Sequence, residues 1–293
     1  MKKIIRAIYQ ILPFKKEIFQ LLKKVWSPSP RIYRHLHFKA VIKVQAEPGK
    51  WFRMRHYGFE IENEIFWKGL ENGWEKVSIG LWKQLCKNAT VILDIGANTG
   101  IYSLVAKTLN PAATVYAFEP VDRVYEKLTA NCRLNNFEIG CLEMAASNFN
   151  GKAIIYDTDD AHALSVTVNK NLHESGRKVL EKEIRTITLK SFIEDKNISR
   201  IDLMKIDVET HEPEVLEGFG EYLARFKPAM LIEILNDEVG ARVSGMITGL
   251  DYLYFNIDEN KGIRQVQTIE HSDYYNYLLC NKATALQLKL ISE

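Results

Sequence analysis

Acidic side chains stand next to glycines in one short stretch, at a spacing that suits a small charged ligand. Asp94 precedes Gly96 by two positions, and Gly100 follows four positions later. A diphosphate ligand needs Gly-x-Gly-x-x-Gly, because two phosphates must approach bare backbone at a helix N-terminus. Here Asn98 replaces the middle glycine, and Asp94 would repel phosphate while suiting a cationic amino-acid group. The expected ligand therefore packs closely against this turn but is not a diphosphate.

A second acid, Glu119, follows about twenty residues later, where an acid typically holds ribose hydroxyls. It ends the apolar stretch from Val115 to Phe118. A nucleoside that carries positive charge suits both Asp94 and Glu119, and S-adenosylmethionine is the common ligand of this kind. The sequence therefore predicts S-adenosylmethionine as the cofactor.

The residues around the first glycine turn predict a strand, a tight turn and a helix. Residues 91–95 are apolar except for the acid, and residues 101–107 place apolar side chains at helical intervals. In a doubly wound α/β sheet, a ligand binds where such strands end. The cofactor is therefore expected at the carboxyl ends of this strand and of the next one, at residues 115–118.

A third group of titratable residues follows a strand predicted over residues 201–206. Asp207, Glu209 and His211 come directly after it, and a helix is expected to start near Pro213. In a doubly wound sheet this strand lies beside the first, so its end faces the reactive methyl group of the cofactor. Several titratable groups at one strand end are costly unless they are partnered or used. These three residues are the candidates for catalysis.

The three motifs, in this order, resemble the FkbM family of S-adenosylmethionine-dependent methyltransferases. They are Asp94-Ile95-Gly96-Ala97-Asn98-Thr99-Gly100, Phe118-Glu119-Pro120 and Ile206-Asp207-Val208-Glu209. The similarity covers roughly Thr90 to the C-terminus. It implies an α/β fold with a Rossmann-like class I methyltransferase sheet, mostly parallel with an antiparallel last strand, and usually O-methylation. The family usually has glycine where this chain has Thr210, which leaves the path of that loop open.

The resemblance also implies that the end of the third strand, at Ala145, Ala146 and Ser147, forms a wall for the adenine ring. Cys141 to Ala146 predicts that strand, and Asn150-Gly151 predicts a hairpin leading to the next one. The predicted cofactor-binding residues are Asp94, Gly96, Asn98, Gly100, Glu119, Ala146, Ser147 and Asp207.

The sequence does not decide which of the two acids and the histidine has which catalytic role. Asp207 or Glu209 would hold the cofactor amine or the substrate, and His211 or Glu209 would take the proton from the acceptor hydroxyl. His162, in a polar stretch near the expected substrate entrance, is a further candidate contact. A metal bridged by these acids and Glu233 is conceivable, but no ligand spacing argues for one, so no metal is predicted.

The first 30 residues predict a basic amphipathic helical extension. Two groups of apolar residues share a helical face on either side of Pro13: Ile4, Ile8, Ile11 and Leu12, then Ile18, Leu21, Leu22 and Val25. Seven Lys and Arg residues face only Glu17 within residues 1–26. Two interpretations remain open: peripheral contact with an anionic membrane, or a helix packed on the main domain or on a partner.

Residues 31–88 predict a β-hairpin that turns at Pro48-Gly49, followed by an aromatic helical segment over residues 60–87. The aromatic side chains of that segment either form core or stack on a substrate. Residues 89–293 are predicted to be the methyltransferase domain.

Bulk properties limit the location and the partners. The net charge of +2 makes nucleic-acid binding unexpected, and four scattered cysteines favour free thiols in a reducing compartment. Because no apolar run approaches the roughly 20 residues that span a bilayer, the expected location is cytoplasmic, with or without peripheral membrane contact.

The favoured function is O-methylation of a hydroxyl on a sugar or other small acceptor, such as a glycan or glycolipid. An N-methyltransferase of the same fold and a non-catalytic scaffold that docks on a membrane or partner remain alternatives. A nicotinamide oxidoreductase is disfavoured by the missing middle glycine.

Overall fold

The structure of the protein, a computed structural model, describes residues 13–158 and 179–292. The strands in these ranges are β1 (Ala40–Glu47), β2 (Lys50–His56), β3 (Val91–Ile95), β4 (Thr114–Phe118), β5 (Ile139–Leu142), β6 (Ala145–Ala146), β7 (Gly151–Thr158), β8 (Val179–Ile187), β9 (Leu203–Ile206), β10 (Ala229–Glu233), β11 (Leu253–Asp258), β12 (Gly262–Val266) and β13 (Asn276–Cys280). The helices are α1 (Lys15–Leu22), α2 (Pro30–Tyr33), α3 (Glu60–Lys68), α4 (Lys76–Cys86), α5 (Ile101–Leu109), α6 (Asp122–Leu134), α7 (Leu189–Lys196), α8 (Glu212–Phe219), α9 (Glu221–Phe226), α10 (Asp237–Ile247) and α11 (Lys282–Gln287). The predictions for residues 1–12 and for His162 lie outside the described residues.

An eight-stranded sheet in the order β12-β11-β13-β10-β9-β3-β4-β5 forms the centre of the fold. The five strands from β10 to β5 run parallel to one another, and β13 runs antiparallel to both β10 and β11. Strands such as β3 and β10 are nearly continuous apolar runs because both faces of the sheet are covered. The predicted Rossmann-like, mostly parallel sheet is confirmed.

The strand order reverses between β3 and β9. From β3 the chain moves outward through α5 to β4 and through α6 to β5, and it later returns to β9 on the other side of β3. A crevice opens where neighbouring crossovers leave a sheet in opposite directions. The loops after β3, β4, β9 and β10 therefore meet at one edge.

The predicted third strand is present as β5, but it is shorter at its C-terminal end than predicted, and the predicted hairpin is wrong. β5 ends at Leu142, and Ala145–Ala146 pairs in parallel with β8 instead. Because β8 lies between β6 and β7 in a separate three-stranded sheet, Asn150-Gly151 joins two strands that do not pair with each other. The Asn150 side chain bonds outside the turn: its Oδ1 accepts from the Thr188 amide at 2.8 Å, and its Nδ2 donates to Ser191 Oγ at 2.8 Å.

The N-terminal hairpin packs on α5 and α6, and α4 packs on the central sheet. β1 and β2 pair across the predicted turn, with Glu47 opposite Lys50. The Arg55 amide donates to Asn131 Oδ1 of α6 at 2.8 Å. The predicted helical segment is two helices, α3 and α4, because α3 ends at Gly69 in a left-handed conformation with φ 74°. The boundaries at residues 30 and 88 stay a prediction.

Within residues 13–158 and 179–292, no helix combines the length and the apolar character needed to cross a bilayer.

Candidate active site

A cavity of about 360 Å³ lies at the carboxyl edge of β3, β4, β9 and β10. Its volume falls within the range of small-molecule sites, about 300–1,000 Å³. The structure brings all but one of the predicted site residues to this cavity. Those that line it are Asp94, Gly96, Asn98, Glu119, Ala146, Ser147, Asp207, Glu209 and His211. Gly100 is not among the lining residues.

The glycines after β3 permit a close contact between two loops. Gly96 has φ 78°, and a Cβ placed there would lie 1.9 Å from the carbonyl oxygen of Asp207. Gly100 has φ 90°, and a Cβ there would lie 2.6 Å from Leu128 Cδ1 of α6. Gly96 therefore sets the approach of the β9 loop, and Gly100 sets the packing of α6 on the start of α5.

Asp94 is buried and is bound by the first turn of α5. Its Oδ2 accepts from the Ser103 amide at 2.9 Å and from the Ser103 hydroxyl at 2.6 Å. Burial raises the pKa of Asp94 to about 6, against the opposing effect of these hydrogen bonds. A cationic ligand beside it would favour the ionised carboxylate.

Glu119 is also buried and ties the glycine turn to the end of β4. Its Oε2 accepts from the Asn98 amide at 3.0 Å, and its Oε1 accepts from the Val121 amide at 2.9 Å. Burial raises the pKa of Glu119 to about 7, although both amide hydrogen bonds lower it. Each carboxylate oxygen has two lone pairs, so both can still accept a ligand hydroxyl.

A buried lysine at the end of β9 was missed by the sequence analysis. Lys205 is only 1% exposed, lines the cavity and pairs in register with Asp94 of β3. Its Nζ donates to Asp207 Oδ2 at 3.0 Å. Burial lowers the pKa of Lys205, but the carboxylates of Asp207, Glu75 and Glu233 together raise it above its ordinary value. A lone lysine in the apolar strand β9 was the available sequence signal.

Two further acids complete this group, which we call the lysine cluster: Lys205, Glu75, Asp207 and Glu233. Glu75, just before α4, accepts from the Tyr102 hydroxyl at 2.5 Å and from Asn276 Nδ2 at 2.8 Å. Burial raises the pKa of Glu75. Burial and the charge of Asp207 also raise the pKa of Glu233. Glu75 carries no local sequence signal, because its partners are distant in the chain.

His211 is held between two neighbours, Ser147 and Glu214, at the cavity. Its Nε2 lies 3.0 Å from Ser147 Oγ, and its Nδ1 lies 3.5 Å from Glu214 Oε2. Burial lowers the pKa of His211 more than the Glu214 carboxylate raises it. The histidine is therefore neutral at pH 7 and links the predicted adenine wall to the start of α8.

The loop between Asp207 and His211 is left-handed at two consecutive residues that are not glycine. Glu209 has φ 55° and Thr210 has φ 79°. Thr210 occupies the position where the resembled family has glycine, so the structure settles the loop path that the sequence left open. The backbone bends at this position as glycine would allow, but with a β-branched side chain.

The N-terminal region also contributes to the cavity wall. Glu62 of α3 lines the cavity and is 1% exposed. Its Oε2 accepts from the Tyr57 amide at 2.5 Å, while its Oε1 has no hydrogen-bond partner among the described residues. Burial raises the pKa of Glu62 to about 7. Trp74, from the predicted aromatic helical segment at residues 60–87, also lines the cavity.

Comparison with known proteins points to one family. A family model described as "Methyltransferase FkbM domain" matches residues 94–272, more than half of the chain. Over 155 residues the chain is 28% identical to 31-O-demethyl-FK506 methyltransferase FkbM from Streptomyces tacrolimicus, covering 44% of this chain and 58% of that protein. The chain is also 26% identical, over an alignment of 155 residues, to hexuronic acid methyltransferase AglP from Haloferax volcanii, covering 53% of this chain and 60% of that protein.

A larger relative matches in part. The chain is 27% identical over 217 residues to the AMB antimetabolite synthetase AmbE from Pseudomonas aeruginosa, covering 64% of this chain and 10% of that protein. The chain therefore spans no more than 60% of the length of each of these three relatives.

Proposed function

Because this chain belongs to the FkbM methyltransferase family, whose methyl donor is S-adenosylmethionine, we propose that it methylates a hydroxyl of a sugar or other small acceptor, such as a glycan or glycolipid. The observation that carries the proposal is a single cavity lined both by the two cofactor acids and by the lysine cluster. The names of two relatives support O-methylation, since one acts on hexuronic acid and the other on 31-O-demethyl-FK506.

The residues around the glycine turn fit the cofactor. Asp94 and Glu119 are buried acids whose raised pKa values fall when a cation or a hydroxyl donor binds beside them. Glu119 would accept the ribose hydroxyls, and Ala146 and Ser147 would form the wall for the adenine ring. When bound, the cofactor supplies a methyl group that is already activated by the sulfonium charge. The main task left to the chain is positioning, which is worth up to about 7–11 kcal/mol in well-oriented reactions.

The contacts in and around the lysine cluster support different roles for Asp207, Glu209 and His211. Asp207 accepts a hydrogen bond from Lys205 and lies beside Glu233, so its orientation is fixed. We assign to it the positioning of the acceptor hydroxyl. Both ring nitrogens of His211 face protein side chains, so His211 supports the wall at Ser147. Glu209 lines the cavity and takes the hydroxyl proton as the methyl group leaves the sulfur.

The assignment of Glu209 predicts a split between catalysis and cofactor binding. In the Glu209→Gln variant we expect kcat to fall about 10²–10⁴-fold, the usual contribution of a positioned base, with an unchanged Kd for S-adenosylmethionine. Glu217→Gln, which alters an acid on α8 bound to Asn148 away from the cavity, is the control and should keep full activity. Equal kcat in the two variants would reject Glu209 as the base.

Methyl-labelled S-adenosylmethionine and matched acceptors test the reaction itself. Full-length protein is incubated with methyl glycosides, the corresponding amino sugars and uronic acids, and fractionated surface glycans and lipids. We expect label in a base-stable methyl ether, located on a hydroxyl by NMR. Label only on the amino sugars would make the chain an N-methyltransferase, and cofactor binding without any transfer would make it a scaffold.

A further inference from the structure

Most of the exposed large apolar side chains of the described chain lie on or near the N-terminal helix, far along the sequence from the catalytic motifs. Of eleven large apolar side chains that are exposed, seven fall within residues 14–32. Five of them make up what we call the α1 face: Phe14, Ile18, Leu21, Leu22 and Val25. Their exposed fractions are 74%, 37%, 64%, 36% and 86% in that order.

Four of the five residues, from Ile18 to Val25, lie on one side of a continuous helical run, and Phe14 precedes α1 in a left-handed conformation with φ 56°. From Ile18 onward the spacing of three, one and three residues follows the helical period, so these four side chains point in one direction. The turn extends past α1, because the Trp26 amide donates to the Leu22 carbonyl at 2.8 Å. The α1 face is therefore a stripe about three turns long.

The opposite side of α1 is anchored to the protein. Phe19 is 4% exposed, and its ring centre lies 5.8 Å from that of Phe38 and 5.5 Å from that of Trp67. Lys23 donates to the carbonyl oxygen of Phe66 in α3. Because these contacts fix the rotation of the helix, the α1 face points away from the body of the protein.

Basic residues border this stripe. At about 100° per residue, Lys15 and Lys24 fall on its two opposite flanks, and Arg31 follows in α2. Within residues 1–26 there are seven basic residues and one acid. An apolar stripe flanked by lysines is the arrangement of helices that lie in the interface of an anionic bilayer. A second copy of this chain would bring like charges together and is less suitable.

We propose that the α1 face docks the protein on an anionic membrane surface, with Phe14, Leu21 and Val25 inserted among the acyl chains and the flanking lysines at the lipid headgroups. Burial of the apolar side chains and attraction of the lysines act together. Such binding is peripheral and falls as salt screens the charges.

The docking helix is close to the cavity through α3. Phe66 and Trp67 of α3 lie next to α1, while Ile61 and Glu62 of the same helix line the cavity. Five residues of helix separate the two ends, about 8 Å. If the proposed acceptor is a glycolipid, docking would hold the protein at the surface that contains it. That consequence rests on the proposed function, whereas the docking does not.

Flotation of the full chain with vesicles tests the docking. We expect it to float with vesicles of mixed phosphatidylserine and phosphatidylcholine, and at least tenfold less with phosphatidylcholine alone. The double variant Leu21→Ser/Val25→Ser should lose at least tenfold in binding. Ile154→Ser, which removes an apolar side chain that is 51% exposed on β7, is the matched control and should float like the parent.

Three results would overturn the proposal. They are absence of flotation with anionic vesicles, equal flotation of the parent and the Leu21→Ser/Val25→Ser variant, and a parent dimer in solution that this variant abolishes. The last would assign the α1 face to a second copy of the chain. Because the substituted side chains are exposed, cofactor affinity and thermal unfolding should match the parent, which shows that any loss is not caused by misfolding. Methyl transfer to a water-soluble acceptor separates this test from that of the proposed function.

Discussion

The loops after β3 and β9 meet at the same cavity and both bend through left-handed backbone, but they do so with different residues. The first has glycine at two of its left-handed positions, Gly96 and Gly100, while the second has Glu209 and Thr210. A left-handed conformation costs a residue with a Cβ about 1–2 kcal/mol. Strained backbone of this kind concentrates at functional sites, where the rest of the fold holds it in place. Asn98 of the first loop is also left-handed, with φ 50°, but asparagine adopts this conformation more readily than other residues with a Cβ. The second loop is therefore the more strained of the two.

The buried acids of the two regions also differ in the groups that stabilise their charge. Asp94 is held by the amide and the hydroxyl of Ser103, and Glu119 is held by two backbone amides, all of which are neutral groups. Near β9, several carboxylates share the charge of one side chain, Lys205. A buried charge that relies on another charge is expensive when its partner is removed. The β9 region should therefore be the more sensitive to single substitutions.

The sharpest test of this difference is Lys205→Met. Removal of one member of a buried charge group typically costs about 3–5 kcal/mol, so we expect a loss of that size in the free energy of unfolding, measured with urea at pH 7. Methyl transfer should fall as well, because Asp207 loses the donor that fixes its orientation.

Lys190→Met is the matched control for that substitution. Lys190 pairs with Glu221 at 2.8 Å on the surface, where ion pairs contribute little to stability. We expect no measurable change in unfolding. If Lys205→Met is as stable as the parent, the acids of the lysine cluster are protonated and do not need the charge of the lysine. The contrast between the two regions would then disappear.

A pH titration of cofactor affinity probes the first region. The pKa values of Asp94 and Glu119 are raised to about 6 and about 7 by burial, so the folded protein holds protons that the unfolded chain has released. These two acids therefore lower the stability of the ligand-free protein as pH rises from about 4 to 7. A cationic cofactor prefers the ionised acids, so its affinity should rise about tenfold from pH 6 to pH 8.

Isothermal titration calorimetry measures both the affinity and the protons released. The variant Glu119→Gln cannot ionise at this position, so it should bind more weakly at pH 8 and show a flatter pH profile. An affinity that falls from pH 6 to pH 8, or a profile unchanged by Glu119→Gln, would contradict the assignment of this acid to the cofactor.

The two regions also differ in how well the sequence predicts them. Asp94, Gly96, Asn98 and Glu119 lie within 26 residues of one another, so strand, turn and second acid follow from local spacing. The sheet followed for the same reason, since apolar runs and helical intervals are local signals. Gly100 was predicted to bind the cofactor, but the structure places it against Leu128.

Non-local contacts explain what the sequence did not reveal. In the lysine cluster, Glu75 lies near Lys205 and accepts from Asn276, and this closeness depends on the whole sheet topology. The misplaced third strand has the same origin, because Ala145 pairs with Thr186 across a long insertion. A dipeptide such as Asn150-Gly151 predicts a turn but does not identify the partner of the strand that follows.

The smallest expected effect tests the strain in the second loop. At Thr210, φ is 79°, a conformation that glycine adopts without a Cβ penalty. The left-handed conformation destabilises threonine by about 1–2 kcal/mol. Replacement by glycine removes this cost, but part of the gain is lost because glycine gives the unfolded chain more conformational freedom. We therefore expect Thr210→Gly to raise the free energy of unfolding by about 1 kcal/mol or less. Urea unfolding checks this directly.

Thr210→Ala separates backbone strain from the loss of side-chain contacts. Alanine keeps the Cβ and its penalty at positive φ, so this variant should gain no stability, while both variants remove the threonine hydroxyl and methyl group. If alanine stabilises as much as glycine, the threonine side chain and not the backbone is the source of strain. If glycine stabilises but slows methyl transfer, the stiff loop is what keeps Glu209 at the cavity, and the strain of this region is linked to its function.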